Sequence, residues 1–273
     1  MVNALSEIVE APPITPARYG LASVAIPQST DGTHWQLGVA YEPDAVVPVG
    51  VLAGACTGPV TIDLAGAPGL VEGLPFAVYA GFNCPLIGEP DDEITQRAVT
   101  ALDAGGWQRG AEQALWGSVA IDGLSSQFNK TSPDVVANNV DVVTAVAALE
   151  DTLGDAYLGQ GVIHGKRGVS AFAAAHQLVE HEAGVAVTPA GSAWVFGAGY
   201  DGSGPDGSDA PAAGHGWLFA TGKVTVRRGP ALVLGTRGTG LDRSTNGTVR
   251  FVEQVVVLTV EGPFAAALVD FTA

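Results

Sequence analysis

Apolar residues recur at three- and four-residue spacing from about residue 91 to residue 181, and at two-residue spacing from there to the end of the chain. That change of period constrains the fold most, because a helix and a half-buried strand demand different repeats. In 90–118, Pro90, Asp91, Asp92 and Glu93 suit the positively polarised start of a helix, and Ile94, Ala98, Ala101 and Leu102 share one face behind them. Gly105 and Gly106 interrupt the stripe before Ala111, Ala114 and Leu115 resume it, so one helix bends there or two meet. A second helix is predicted over 133–157, along Val142, Val146, Leu149, Leu153 and Tyr157, and a third over 168–181, through Val169, Phe172, Ala173, His176 and Val179. Beyond them AWVFGAGY, GWLFATGKVTVRRG, ALVLG and the apolar ending TVRFVEQVVVLTVEGPFAAALVDFTA read as strands, the last with a turn at 261–263. The Gly, Asp and Pro run at 201–216 reads as a surface loop. Helices followed by antiparallel-type strands make an α+β chain.

The first 45 residues behave differently. Pro12, Pro13, Pro16, Pro27 and Pro43 leave no long helical period, and the segment reads as an extended arm that needs a neighbouring surface to be ordered. VTIDLA at 60–65 and PFAVYAGF at 75–82 are strand-like, and the Gly- and Pro-bearing stretch between them suggests a long β-loop.

Charge narrows the function. Twenty-eight acids against 12 Lys plus Arg give a net charge of −16, while only 15% of residues are charged and 47% are hydrophobic. Such a chain is too apolar to be a disordered acidic tail and too acidic to grip DNA along its length. Low charge instead suits a large core or surface covered by other subunits. Residues 1–183 hold 21 acids and 6 bases, whereas 184–273 hold 7 and 6, an asymmetry that could steer complementary copies together. There is no basic leader and no apolar stretch of membrane-spanning length. Cys56 and Cys84 form no CxxC pair and read as small buried hydrophobes.

Catalytic patterns fail on spacing. Gly165 and Lys166 mimic the end of a phosphate loop, but Gln160 stands where the first Gly is needed and Arg167 where Ser or Thr would hold magnesium. The economical reading is a polar turn of His164, Lys166 and Arg167 that meets an acidic neighbour. His176 and Glu180 share a helical face while His181 points away, so no metal set forms. No serine lies in a GxSxG elbow, and consecutive Asp91 and Asp92 diverge on a helix. An enzyme would require His164, His176 and acids to meet in space. No cofactor and no catalytic residue is expected.

The order of elements carries more. PFAVYAGFNCPLIG at 75–88, QRAVTALDAGGWQRGAEQALW at 96–116, YLGQGVIHGKRG at 157–168, GHGWLFATGKVTVRRG at 214–229 and VRFVEQVVVLTVEGPFAAALVD at 249–270 together resemble the major capsid protein of tailed bacteriophages, the Hong Kong 97-type fold, in the short versions of actinobacterial phages. The resemblance implies an N-terminal arm (1–45), an extended loop (46–90), a spine helix with peripheral domain (91–131), an axial domain (132–245) and a return to the peripheral domain (246–273). It implies a virion shell subunit, assembled in the host cytoplasm as hexamers and pentamers that enclose double-stranded DNA without sequence-specific binding. Scaffolding, portal and decoration proteins are the implied partners. No charged assembly segment precedes the arm, so a scaffold would be separate or dispensable. The three lysines, Lys130, Lys166 and Lys223, lie outside the loop, which argues against covalent loop crosslinking. Lys166, Arg167, Arg227 and Arg228 are the expected inter-subunit contacts, and Phe82, Trp107 and Trp116 the expected packing anchors. An encapsulin-like nanocompartment shell and a tail or head-completion protein are the alternatives.

Overall fold

Two sheets are built from interleaved segments, and the chain crosses between them repeatedly. The computed structural model describes residues 12–46, 69–85, 91–116, 133–205, 211–233, 239–242 and 247–272. The VTIDLA segment, Cys56 and the first part of the arm lie outside the described residues.

The first sheet has six strands around β14 (Gly247–Val260). Antiparallel β4 (Pro75–Pro85) covers one side of β14, and β13 (Thr239–Asp242), β12 (Leu232–Val233) and β11 (Val224–Arg228) cover the other. The arm adds β1 (Ile26–Pro27) parallel to β11. A separate pair, β2 (Val39–Tyr41) with β3 (Val71–Gly73), joins the arm to the stretch before β4. Alternation decides the inner face: Phe76 and Val78 of β4 and Val252, Val256 and Leu258 of β14 are buried in one apolar cluster.

Helices α1 (Asp91–Ala101) and α2 (Trp107–Trp116) and the turn between them lie on that face and contribute Ala98, Leu102, Ala111, Leu115 and Trp116. Between them Leu102–Gly106 forms a π-type turn whose Gly105 has φ 135°, a conformation that a side chain would strain. The glycine pair thus resolves the alternative left open by the sequence: two helices meet in a bend.

The second sheet has seven strands in the order β5 (Asp134–Val140), β15 (Ala265–Asp270), β10 (His215–Thr221), β6 (Val162–Lys166), β9 (Ala193–Gly197), β8 (Val185–Val187) and β7 (Glu180–Glu182). Helix α3 (Val142–Ala156) packs Val142, Ala145, Val146, Leu149 and Leu153 against it, and α4 (Val169–Ala175) adds Val169 and Ala173.

Two helix predictions were too long. Residues 134–140 are strand, because Val135, Val136 and Val140 favour a pleated surface and Asp141 starts the helix afresh by accepting from the Val143 and Thr144 amides at 2.9 and 3.0 Å. The predicted third helix stops at Ala175, where Gln177 takes a left-handed φ of 57° and the Leu178 amide turns back to the Ala173 carbonyl at 2.8 Å. The chain then forms a hairpin through Ala183 and Gly184, both at positive φ.

The tail divides. β14 belongs to the six-stranded sheet, but β15 enters the seven-stranded one, and β11, inside 132–245, pairs with β14. The boundary implied at 245/246 therefore does not follow the sheets. The chain crosses between the sheets at 222–223, from β10 to β11, and again at 261–264, from β14 to β15.

Candidate functional site

A carboxylate on the apolar face of α2 fixes the arm. Residues 108, 111, 112, 115 and 116 of α2 are buried, and Glu112 sits among them fully enclosed. One Glu112 oxygen accepts from the Leu21 amide at 3.0 Å and from the Gln108 side-chain amide at 2.9 Å; the other accepts from the Gly199 amide at 2.8 Å. Three donors replace the water that burial removes, and they join arm, helix and the loop after β9 at one point. The approach requires glycine: a Cβ at Gly199 would meet the Arg109 carbonyl oxygen at 2.3 Å and the Glu112 Cβ at 2.7 Å. Gly199→Ala is expected to destabilise the subunit by about 1–3 kcal/mol, the range for overpacking, read as a lower urea midpoint.

A second carboxylate holds the two inter-sheet links. Glu261, 2% exposed, accepts from the Tyr41 hydroxyl at 2.9 Å and the Tyr157 hydroxyl at 2.5 Å, and its Oε1 lies 3.4 Å from Lys223 Nζ. The Lys223 amide donates to the Tyr157 hydroxyl at 3.0 Å, the Glu261 amide to the Lys223 carbonyl, and the Gly222 amide to the Glu261 carbonyl. Burial, with help from Glu261, pushes both tyrosine hydroxyls up, so they remain donors. Glu261→Gln keeps the shape but loses the charge-assisted bonds. It is expected to cost about 1–2 kcal/mol and to speed limited proteolysis within residues 38–46.

His164 corrects an expectation. It is fully buried on β6, not in a polar turn with Lys166 and Arg167, because the strand is covered on both faces through Gly165 and the two cations emerge only where it ends. Thr221 gives its own proton to the Gly222 carbonyl, so His164 Nε2–H donates to Thr221 Oγ1 and Nδ1 accepts from Tyr200, both at 2.9 Å. Burial lowers the imidazole to about 3, keeping it neutral. His176 lies exposed at the end of α4, apart from His164. Among the described residues no group of three His, Cys, Asp or Glu side chains is arranged to hold a metal, and no helix is long and apolar enough to cross a membrane.

The remaining sequence candidates occupy different places. Trp116 is buried and stacks on Phe219 at 4.1 Å between centroids, 4° from parallel. Trp107 is half-buried beneath Arg228, whose guanidinium carbon is 4.9 Å from the ring centroid and whose Nη1 is 3.6 Å from Asp103. Phe82 is 42% exposed on β4. Lys166 and Arg167 are exposed at the end of β6, and Arg227 is half-buried on β11. The structure thus brings Arg228 and Trp107 together but leaves the two cation pairs on different sheets. Glu112 and Tyr41 were not singled out from sequence, while Tyr157 was read as part of a helical stripe and Glu261 as a turn residue. The signal for Glu112 was an acid inside the apolar stripe between Ala111 and Leu115.

Large apolar side chains remain on the six-stranded sheet's other face. Tyr79, opposite Glu253, is 75% exposed, and Leu232, also opposite Glu253, is 44% exposed, forming a row across three strands.

No protein-family model and no curated protein matches the sequence. Solved structures match over nearly all of it. A chain of Gordonia phage Cozz superposes with a TM-score of 0.52 at 13% identity, covering 99% of this chain and 91% of its own. A chain of Mycobacterium phage Ogopogo gives 0.51 at 13% identity, covering 98% and 96%. The capsid chain of an empty GTA particle gives 0.50 at 14% identity, covering 100% and 96%. The chain therefore has the α+β fold of a particle-forming capsid chain, the fold its sequence resemblance implied.

Proposed function

We propose that this chain is a structural subunit that assembles with copies of itself into a closed icosahedral shell around phage double-stranded DNA. The observation that carries the reading is the end-to-end match to a GTA capsid chain, arm included. The architecture supports it. A shell that reuses one surface in several settings needs rigid bodies joined by adaptable segments. Here an arm without a core of its own is held to both sheets by two buried carboxylates. The six-stranded sheet with α1 and α2 acts as the peripheral domain, and the seven-stranded sheet with α3 and α4 as the axial domain around hexamer and pentamer centres. Lys166, Arg167, Arg227 and Arg228 act as inter-subunit contacts, and Phe82 and Tyr79 are covered by neighbours. The DNA is contained by the wall and not gripped, since a chain of net charge −16 repels phosphate. Its role is structural, and its place is the virion.

Electron microscopy of the purified protein tests the proposal. Closed icosahedral particles are the expected result. Monomers that persist at high concentration, or rings and tubes alone, would overturn it.

A further inference from the structure

A cleft of about 530 Å³ opens between the arm and β11. Its floor follows from strand alternation. Val224 and Val226 point into the core, so Lys223, Thr225 and Arg227 point the other way and line the cleft, while His34, Trp35 and residues 38–41 arch over them.

The sign of its charge is unusual for this molecule. The chain has more than twice as many acids as bases, yet Lys223, Arg227 and His34 share this lining and, among the described residues, no carboxylate joins them. Lys223 is engaged by Glu261 from beneath. Arg227 is half-buried, and among the described residues its guanidinium has neither an ion pair nor a hydrogen bond. A partly desolvated guanidinium without an acceptor is a cost to the isolated subunit, and its planar fork fits a carboxylate through two parallel bonds.

We propose that this cleft is a socket for a carboxylate side chain presented by a second copy of this chain, with Arg227 as the principal ligand and Lys223 beside it. The inference rests on the shell reading above, whose partner at this surface it names. Charge complementarity selects the occupant: in an assembly of identical acidic chains, the surface that meets a cationic cleft most often is the acidic surface of another copy. A DNA phosphate is the poorer fit. The net charge of −16 opposes a polyanion, whereas a single carboxylate needs only the local cations.

Particles assembled from equal amounts of ordinary and heavy-isotope-labelled subunits test this. A carbodiimide condenses a lysine with a carboxylate in contact with it, losing one water, and Lys223 is one of only three lysines in the chain. Amides between Lys223 and its own Glu261 carry one isotope. The socket predicts additional Lys223 products of mixed isotope, joined to an Asp or Glu peptide. Arg227→Ala should reduce these at least about tenfold, the loss expected for a charge-assisted bond, and Arg227→Lys should restore part of them. Well-formed shells that yield only same-isotope products at Lys223 would overturn the socket and leave the shell reading standing. The absence of shells in micrographs of the same sample would overturn both. Low-salt binding of a short DNA duplex that disappears in Arg227→Ala would assign the cleft to phosphate and reject the carboxylate.

Discussion

The unfolding free energy of the subunit is expected to fall by about 1.4 kcal/mol for each pH unit below 6.5, reaching a loss of roughly 3 kcal/mol by pH 4.5. The cause is His164. In the fold its pKa is lowered to about 3, against 6.5 for an exposed imidazole. Between those values the unfolded chain takes up a proton that the folded chain refuses, so acid favours unfolding. Stability is complete above pH 6.5 and drains away as pH drops towards 3. Among the described residues both ring nitrogens meet neutral hydroxyls, and Trp116 lies 6.0 Å away between ring centroids. Urea titrations of the unassembled subunit at several pH values measure the slope. His164→Gln has no titration in this range and should flatten it. A wild-type curve already flat from pH 6.5 to 4.5, or an equal slope in the variant, would refute the assignment.

Removing the carboxylate of Glu112 should be the most damaging single truncation of a polar side chain. Glu112→Ala leaves the Leu21 and Gly199 amides and the Gln108 side chain without their acceptor in a site closed to water. Each stranded donor costs about 1–3 kcal/mol, so a total of about 3–5 kcal/mol is expected once partial relaxation is allowed. A subunit that fails to accumulate agrees with this but does not isolate the cause. Glu112→Gln supplies that control: it retains one acceptor oxygen while its amide opposes a donor. It should fold with an intermediate loss and with hydrogen exchange accelerated more at Leu21 and Gly199 than within α2. Uniform exchange across α2 and the arm would mean that Glu112 fills space and does not anchor the arm.

How much of this was legible in the sequence depends on whether the signal was local. The bend at Gly105 was visible because two glycines interrupt an otherwise continuous stripe. β4, β10, β11, β14 and β15 announced themselves by alternation and β-branched residues. The strand at 134–140 was not, because its valines can also be placed on a helical stripe and only the Asp141 cap separates the two elements. The hairpin at 180–187 was hidden because Ala183 occupies a left-handed position usually held by Asn or Gly. Glu261 is a harder case. It ends the run VVVLTV just before Gly262 and Pro263 and reads as a turn residue; its partners Tyr41 and Tyr157 are 220 and 104 positions away. Period and propensity report on neighbours in sequence, and a buried carboxylate is defined by neighbours in space. The four cations were noticed for their charge, but only the strand phase of β11 separates Arg227, facing the arm, from Arg228, lying over Trp107.

The interleaving of the two sheets also sets an order of events during synthesis. β15 comes last in chain order among the described strands, yet it sits inside its sheet between β5 and β10. β14, made just before it, is the hub of the other. Neither core can therefore close before residues 247–270 have left the ribosome, and a nascent chain that lacks them holds both sheets open at their centres. Truncations near the C-terminus should consequently yield no folded half.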